Sequence, residues 1–214
     1  ENSGYFKGLN CGIKYLKQQS ITVDFLVIGN NDLIFPNDFF TSIALKSNII
    51  CDYPVISPNI VTEDGFHQNP HVINKISWFR EVVYDLYFSS FAFAKLISRL
   101  SSLTKKYTAR TDESQFFKSQ IIYQGHGSCY ILTPIFWEYF DELFAPSFLM
   151  GEEYFLSFQL SQFGLNIFYE SSIKVVHKWH ASLSLEPKRK IWEISKDSHK
   201  IYKRHLKYYN KLKS

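Results

Sequence analysis

The sequence predicts an α/β domain. Three observations carry the prediction. Phe25-Leu26-Val27-Ile28 is a short unbroken apolar run closed by the polar turn Gly29-Asn30-Asn31-Asp32, the pattern of a buried strand. Helical spacing of apolar residues stands before it, at Leu9, Ile13 and Leu16. A second short strand, Tyr53 to Ser57, returns after a segment that opens on Pro36-Asn37-Asp38. Strand, helix and strand in that rhythm point to a parallel sheet with helical crossovers, its first strand buried on both faces.

The elements follow in order. Gly8 to Gln19 reads as the first helix, and Phe25–Ile28 as the first strand. The next helix runs to Leu45, with proline near its first turn, where the missing N–H costs nothing. From about Asn69 to Thr111 the chain is rich in Phe, Leu, Ile and Tyr with scattered Lys and Arg, which predicts one or two aromatic, amphipathic helices as an insertion over about 70–111. Ile121 to Ser184 returns to short strands and helices. The last segment, 186–214, holds ten Lys/Arg and three acids, with Ile191, Ile194, Ile201, Tyr202 and Tyr209 near one helical face. That is a basic amphipathic helix. It is expected as an extension of a domain spanning 1–185.

Composition narrows the classes. With 214 residues, 45% hydrophobic and 21% charged, the chain can bury a core and is not disordered. The formal charge is +4 overall and +7 for 186–214, leaving −3 for the rest. No nucleic-acid partner is expected from that balance. Cys11, Cys51 and Cys129 are far apart and odd in number, so a reducing compartment is the simpler expectation. The start, Glu1-Asn2-Ser3-Gly4, is polar and does not read as a secretory signal. The longest charge-free apolar stretch in the middle of the chain, Leu86 to Ala94, is too short to cross a bilayer.

Four places could carry chemistry. Asp32 follows the end of a strand, the edge at which open α/β sheets bind ligands. With Asn30 and Asn31 beside it, it could hold a hard cation against phosphates, although Asn-Asn-Asp is also ordinary turn chemistry. Glu152-Glu153 opens a helix after Gly151. The pair suits the helix dipole and equally suits a general base with a neighbouring acid. His177 ends an alternating strand, with Trp179 and His180 after it. The spacing is no zinc signature. Gln124-Gly125-His126-Gly127-Ser128-Cys129 allows a tight bend or close approach to a ligand, and no P-loop or GxSxG elbow is present.

The order of these motifs resembles family 2 glycosyltransferases with the GT-A fold, in the branch acting on bacterial surface polysaccharides. Asn2-Ser3-Gly4-Tyr5-Phe6-Lys7-Gly8-Leu9-Asn10-Cys11-Gly12-Ile13 is similar to that family's N-x-G-x-x-x-G-x-N-x-G-I stretch. The Asn-Asn-Asp turn, Gly127-Ser128-Cys129-Tyr130-Ile131-Leu132-Thr133, Gly151-Glu152-Glu153 and Tyr169-x-x-x-Ile173-x-Val175-x-His177 follow in the family's order. The family's first strand and helix have no counterpart before Glu1, so the chain is expected to begin inside a mixed-sheet GT-A domain.

The resemblance implies roles position by position. Asp32 and His177 would hold Mg²⁺ or Mn²⁺ against the diphosphate of a UDP- or dTDP-sugar. Asn30 and Asn31 would lie on the donor side of the same turn, and Gly8 and Asn10 near the nucleotide. Glu153 would be the catalytic base, with Glu152 contacting or orienting the acceptor. Gly127 and Ser128 would line the sugar or acceptor pocket. The implied activity is inverting hexosyl or rhamnosyl transfer to a glycan or lipid-linked glycan, in the cytoplasm or on the inner face of the cell membrane. The basic helix would then offer a membrane contact. Three positions depart from the family: Asn30 replaces the first acid of the metal turn, Glu153 stands for Asp, and Gln159 stands where Arg is common. The competing expectation is a non-catalytic membrane- or nucleic-acid-binding module that works through the basic helix.

Overall fold

The computed structural model describes residues 2–108, 111–178 and 189–213. Trp179, His180 and the boundary expected at 185/186 lie outside them. The elements, in chain order, are α1 (Tyr5–Gln18), β1 (Leu26–Gly29), β2 (Leu33–Ile34), α2 (Phe39–Ile50), β3 (Val55–Thr62), α3 (Trp78–Ser89), α4 (Phe91–Thr108), β4 (Gln120–Ile122), β5 (Cys129–Leu132), α5 (Pro134–Tyr139), α6 (Glu152–Ser161), β6 (Ile167–His177) and α7 (Arg189–Lys213).

The chain is α/β with a mixed, open sheet ordered β1-β5-β3-β6-β2, and β4 also pairs with β6. Only β3 and β6 run parallel, and the other pairs are antiparallel. The α/β class and the mixed sheet are as expected, while the parallel pairing read from the first strands and the burial of β1 on both faces are corrected. β1 is an edge strand, mostly half-buried, paired on one side with β5. A four-residue apolar run reads alike at the centre and at an edge covered by helices, so periodicity could not tell them apart.

Alternation along the central strands sorts the core into two faces. Val55, Tyr130, Leu132 and Tyr169 pack with Phe6 and Ile13 of α1, Phe136 of α5, and Leu156 and Leu160 of α6. Ile56, Ile60, Cys129, Ile131 and Val175 pack with Phe39, Ile43 and Ile50 of α2. Helices thus cover both faces, and each fully buried Leu, Ile or Phe contributes roughly 1.5–3 kcal/mol through removal from water. Cys129 sits within the second face, where burial pushes its thiol up to about 12 and leaves it an inert apolar residue.

The register of the parallel pair shifts between Pro58 and Asn59: Pro58 faces Glu170, while Asn59 faces Lys174. The extra residues of β6 are held by Glu170, whose Oε1 accepts from Ser172 N–H at 3.0 Å and from the Ser172 hydroxyl at 2.7 Å. Past this irregularity β6 runs on to His177, where β2 lies along its outer edge with Leu33 opposite His177.

The basic helix is not detached from the domain. Trp192 is buried and its indole N–H donates to Tyr87 O at 3.2 Å. His199 and Lys203 both reach Asp85 of α3 at 2.8 Å. The Tyr202 hydroxyl donates to buried Glu81, and the Ser198 hydroxyl to Met150 O at the start of α6. Among the described residues no helix is long and apolar enough to cross a membrane.

Candidate functional site

The pairing of β2 with β6 brings two of the expected residues together. His177 Nε2 lies 3.2 Å from Asp32 Oδ1, and Lys178 N–H donates to Asp32 O at 3.0 Å, fixing the turn against the strand end. The other ring nitrogen, His177 Nδ1, is 2.8 Å from Gln68 Oε1. With an oxygen as partner, Nδ1 is the donor there, and in the neutral ring this leaves a lone pair on Nε2. Asp32 Oδ1 is buried and makes no hydrogen bond, although the side chain as a whole is 43% exposed. In that tautomer two acceptor atoms face each other at contact distance, and Asp32 Oδ1 is desolvated. That arrangement is costly without a cation between them. Asp32 and His177 could together hold a divalent cation, through one carboxylate and one imidazole. Among the described residues no group of three or more His, Cys, Asp and Glu converges on one point.

Glu153 is placed from the other direction. It opens α6 after Gly151, which takes a positive φ of 83° as the N-cap. Gly127 N–H donates to Glu153 Oε1 at 3.2 Å, and the Tyr5 hydroxyl donates to Gly127 O at 2.9 Å. Burial, then the nearby Cys129, Glu152, Glu153 and Asp32, push the Tyr5 phenol well above its ordinary range, so it remains a donor. The residue before Gly127 joins the two halves. The His126 ring lies 6.0 Å from that of His177 and 5.6 Å from that of His71. Its Nδ1 accepts from Ser128 N–H at 3.3 Å. Burial, with His71 and His177 beside it, lowers it to about 3, so it stays neutral. Asn69 Oδ1 accepts from His126 N–H, and Asn69 Nδ2 donates to Ser57 Oγ and Pro58 O, all at 2.8 Å.

Other expected residues fall into separate places. Gly8, Asn30 and Asn31 line one cavity of about 440 Å³ with Tyr5 and Phe148, and Asn30 N–H donates to Ser128 O at 2.9 Å. Asn10 is not brought there. It is buried, and its amide is spent at both ends on Leu143, donating to O at 2.8 Å and accepting from N–H at 2.9 Å. It borders instead a cavity of about 860 Å³ between α1, the 139–145 loop and α6, away from Asp32 and Glu153. Gln159 is likewise spent on the loop, accepting from Phe144 N–H and donating to Glu142 O. Gly4, another residue of the N-terminal motif, is needed by the backbone: its φ is 92°, and a Cβ there would lie 1.9 Å from Phe148 O.

Glu152 turns away from Glu153. Its Oε1 accepts from Met150 N–H at 3.0 Å, and burial, opposed by these backbone bonds and aided by Glu153, raises it to about 7. Glu153, by contrast, borders a cavity of about 290 Å³ with Gln124 and Tyr84, closed on the far side by Ser198, His199 and Tyr202 of α7.

Sequence reasoning missed Gln68, His126 as a site residue, Tyr5, and the contribution of α7. The polar pair Gln68-Asn69 between a strand and Pro70 is the one signal that could have drawn attention to the second shell. No family model matches the sequence, and no curated protein matches it either.

Proposed function

We propose that the chain is a GT-A-type, metal-dependent inverting glycosyltransferase acting on a nucleoside-diphosphate sugar. The observation that carries the reading is the approach of Asp32 Oδ1, buried and without a hydrogen bond, to His177 Nε2 at 3.2 Å. Its support is that a second carboxylate, Glu153, is tethered by Gly127 next to His126, which neighbours His177.

A divalent cation bound by Asp32 and His177 would neutralise charge on the leaving diphosphate. Gln68 holds the His177 ring so that Nε2 faces the cation site. Gly8, Asn30 and Asn31 line a cavity wall on which the donor would lie, and Gly127, bonded to Glu153, would stand with Ser128 between donor and base. Glu153 accepts the proton of the acceptor hydroxyl while that oxygen bonds to the anomeric carbon. The bond from that carbon to the diphosphate oxygen breaks, its electron pair leaves with the nucleoside diphosphate, and the configuration inverts. Glu152, turned onto its own helix start, takes no part. The acceptor, a glycan or lipid-linked glycan, would enter through the cavity closed by α7.

The test is a panel of UDP- and dTDP-sugars assayed for nucleoside diphosphate release, with and without chelator. Glu153→Gln is expected to lose at least about 100-fold in turnover while keeping donor binding. An active Glu153→Gln protein removes the base assignment, and turnover indifferent to chelation removes the metal.

A further inference from the structure

Among the described residues, two buried side-chain oxygens make no hydrogen bond: Asp32 Oδ1 and Glu81 Oε2. The second lies outside the site described above. Glu81 stands on α3 and is 9% exposed. Its Oε1 accepts from the Tyr202 hydroxyl of α7. Lys203 Nζ is 3.9 Å from Oε2, beyond hydrogen-bond reach, and is held instead by Asp85 Oδ2 at 2.8 Å. A buried carboxylate oxygen without a donor is costly, and a ligand that brings one relieves the cost.

Glu81 lines a cavity of about 380 Å³ between α3, α6 and α7, a size that suits a small ligand. Trp78, Glu81, Val82 and Asp85 line it from one face of α3, at helical spacings of three and four. Trp78 is 79% exposed, so its indole offers an open apolar face. The charges on the wall balance, Glu81 and Asp85 against Lys75 and Lys203. Such a wall selects neither an anion nor a cation. A neutral hydrogen-bond donor with an apolar face meets both demands. A sugar ring is such a ligand: its C–H groups lie on an indole, and the hydroxyls at its rim donate to a carboxylate.

We propose that this cavity binds one sugar residue of a glycan, with a ring hydroxyl donating to Glu81 Oε2 and the Trp78 indole covering a face of the ring. The sugar site stands on this geometry alone. Calling its ligand the acceptor rests on the transferase reading. Tyr154 and Tyr202, their rings 3.9 Å apart, line both this cavity and the one beside Glu153. On that reading the bound sugar is the unit next to the one presented to Glu153.

The full chain is to be titrated by saturation-transfer NMR with the methyl glycosides of glucose, galactose, rhamnose and N-acetylglucosamine, and with ethanolamine as an amine. Binding of at least one glycoside is expected. Glu81→Gln keeps an oxygen for the Tyr202 hydroxyl and is expected to weaken that binding at least about tenfold, the worth of a hydrogen bond to a charged group. Trp78→Ala changes an exposed position and is expected to weaken it about fivefold or more. Trp78 does not line the cavity beside Glu153, so this loss reports on the second cavity. Circular dichroism establishes that each variant is folded, and if Glu81→Gln fails to fold, Trp78→Ala decides. No glycoside bound, or binding unchanged in either folded variant, overturns the proposal. So does capture of ethanolamine alone, because Oε2 then meets an ammonium group. The readout is binding, so a chain that binds glycosides here and turns over no nucleotide sugar upholds this site and removes the transferase reading.

Discussion

Gly127 and Glu153 are fitted to each other: the glycine N–H donates to the carboxylate, and a Cβ on Gly127 would stand 2.7 Å from that same oxygen, Oε1. A glycine at this position lets the backbone hold the acid in place. Gly127→Ala is expected to push the tip of Glu153 aside at small cost to the fold, since the obstructing atom ends a flexible side chain. Turnover should fall about 10- to 100-fold, with donor KM little changed and the melting temperature within a few degrees. Steady-state kinetics beside a thermal melt would check this, and an unchanged kcat would count against Glu153 as the base.

Gln68→Ala tests the hold on the His177 ring. The substitution removes the acceptor that holds Nδ1 of His177, and loss of such a partner weakens metal affinity by about 10- to 100-fold. Titration calorimetry with Mn²⁺ in the presence of a nucleoside diphosphate reads the effect without any turnover.

Glu152 predicts a pH dependence of stability. Its folded-state value, about 7, lies above the ordinary 4.5. Between these values the folded chain binds more protons than the unfolded one, so stability falls as pH rises from 4.5 to 7 and is level above 7. Glu152→Gln keeps an acceptor for Met150 N–H and removes the buried charge. It is expected to match the parent at pH 4.5 and to exceed it at pH 8 by about 2–3 kcal/mol, read by urea unfolding at both values. Transfer activity should survive, in contrast to Glu153→Gln.

Asn10→Leu should cost stability and leave catalysis alone. It breaks two buried hydrogen bonds to Leu143 and orphans backbone groups there, at a cost of about 2–4 kcal/mol. A urea midpoint and a donor KM on the same preparation separate this from a role at the nucleotide, for which KM would rise.

These residues show where a sequence is readable. Asp32 and His177 could be singled out because each follows or ends a run of apolar residues, and strand ends are where open sheets work. Their meeting depends on the two-residue strand β2, too short to leave a periodic trace. Asn10 was placed by motif beside the donor, yet helix geometry turns it onto the 143 loop. A motif records spacing along the chain and not which side of a helix faces the cleft. The basic character of α7 was plain in its Lys and Arg, while its docking was hidden, because Asp85 and Glu81 sit in α3 without any pattern that pairs them with His199, Tyr202 and Lys203. The helical class of the 70–111 stretch was legible, and so was its aromatic excess. Which of those aromatics face outward was not.

The clasp of α7 over the cavity beside Glu153 has a bearing on when the protein can work. Ser195, Ser198, His199 and Tyr202 form a wall of that cavity, and they are the last of its lining residues to leave the ribosome. Until they do, that side of the cavity beside Glu153 lacks its wall. The α7 wall of that cavity is thus built from residues about 40 positions after Glu153, so the surroundings of this carboxylate are completed only when distant parts of the chain have met.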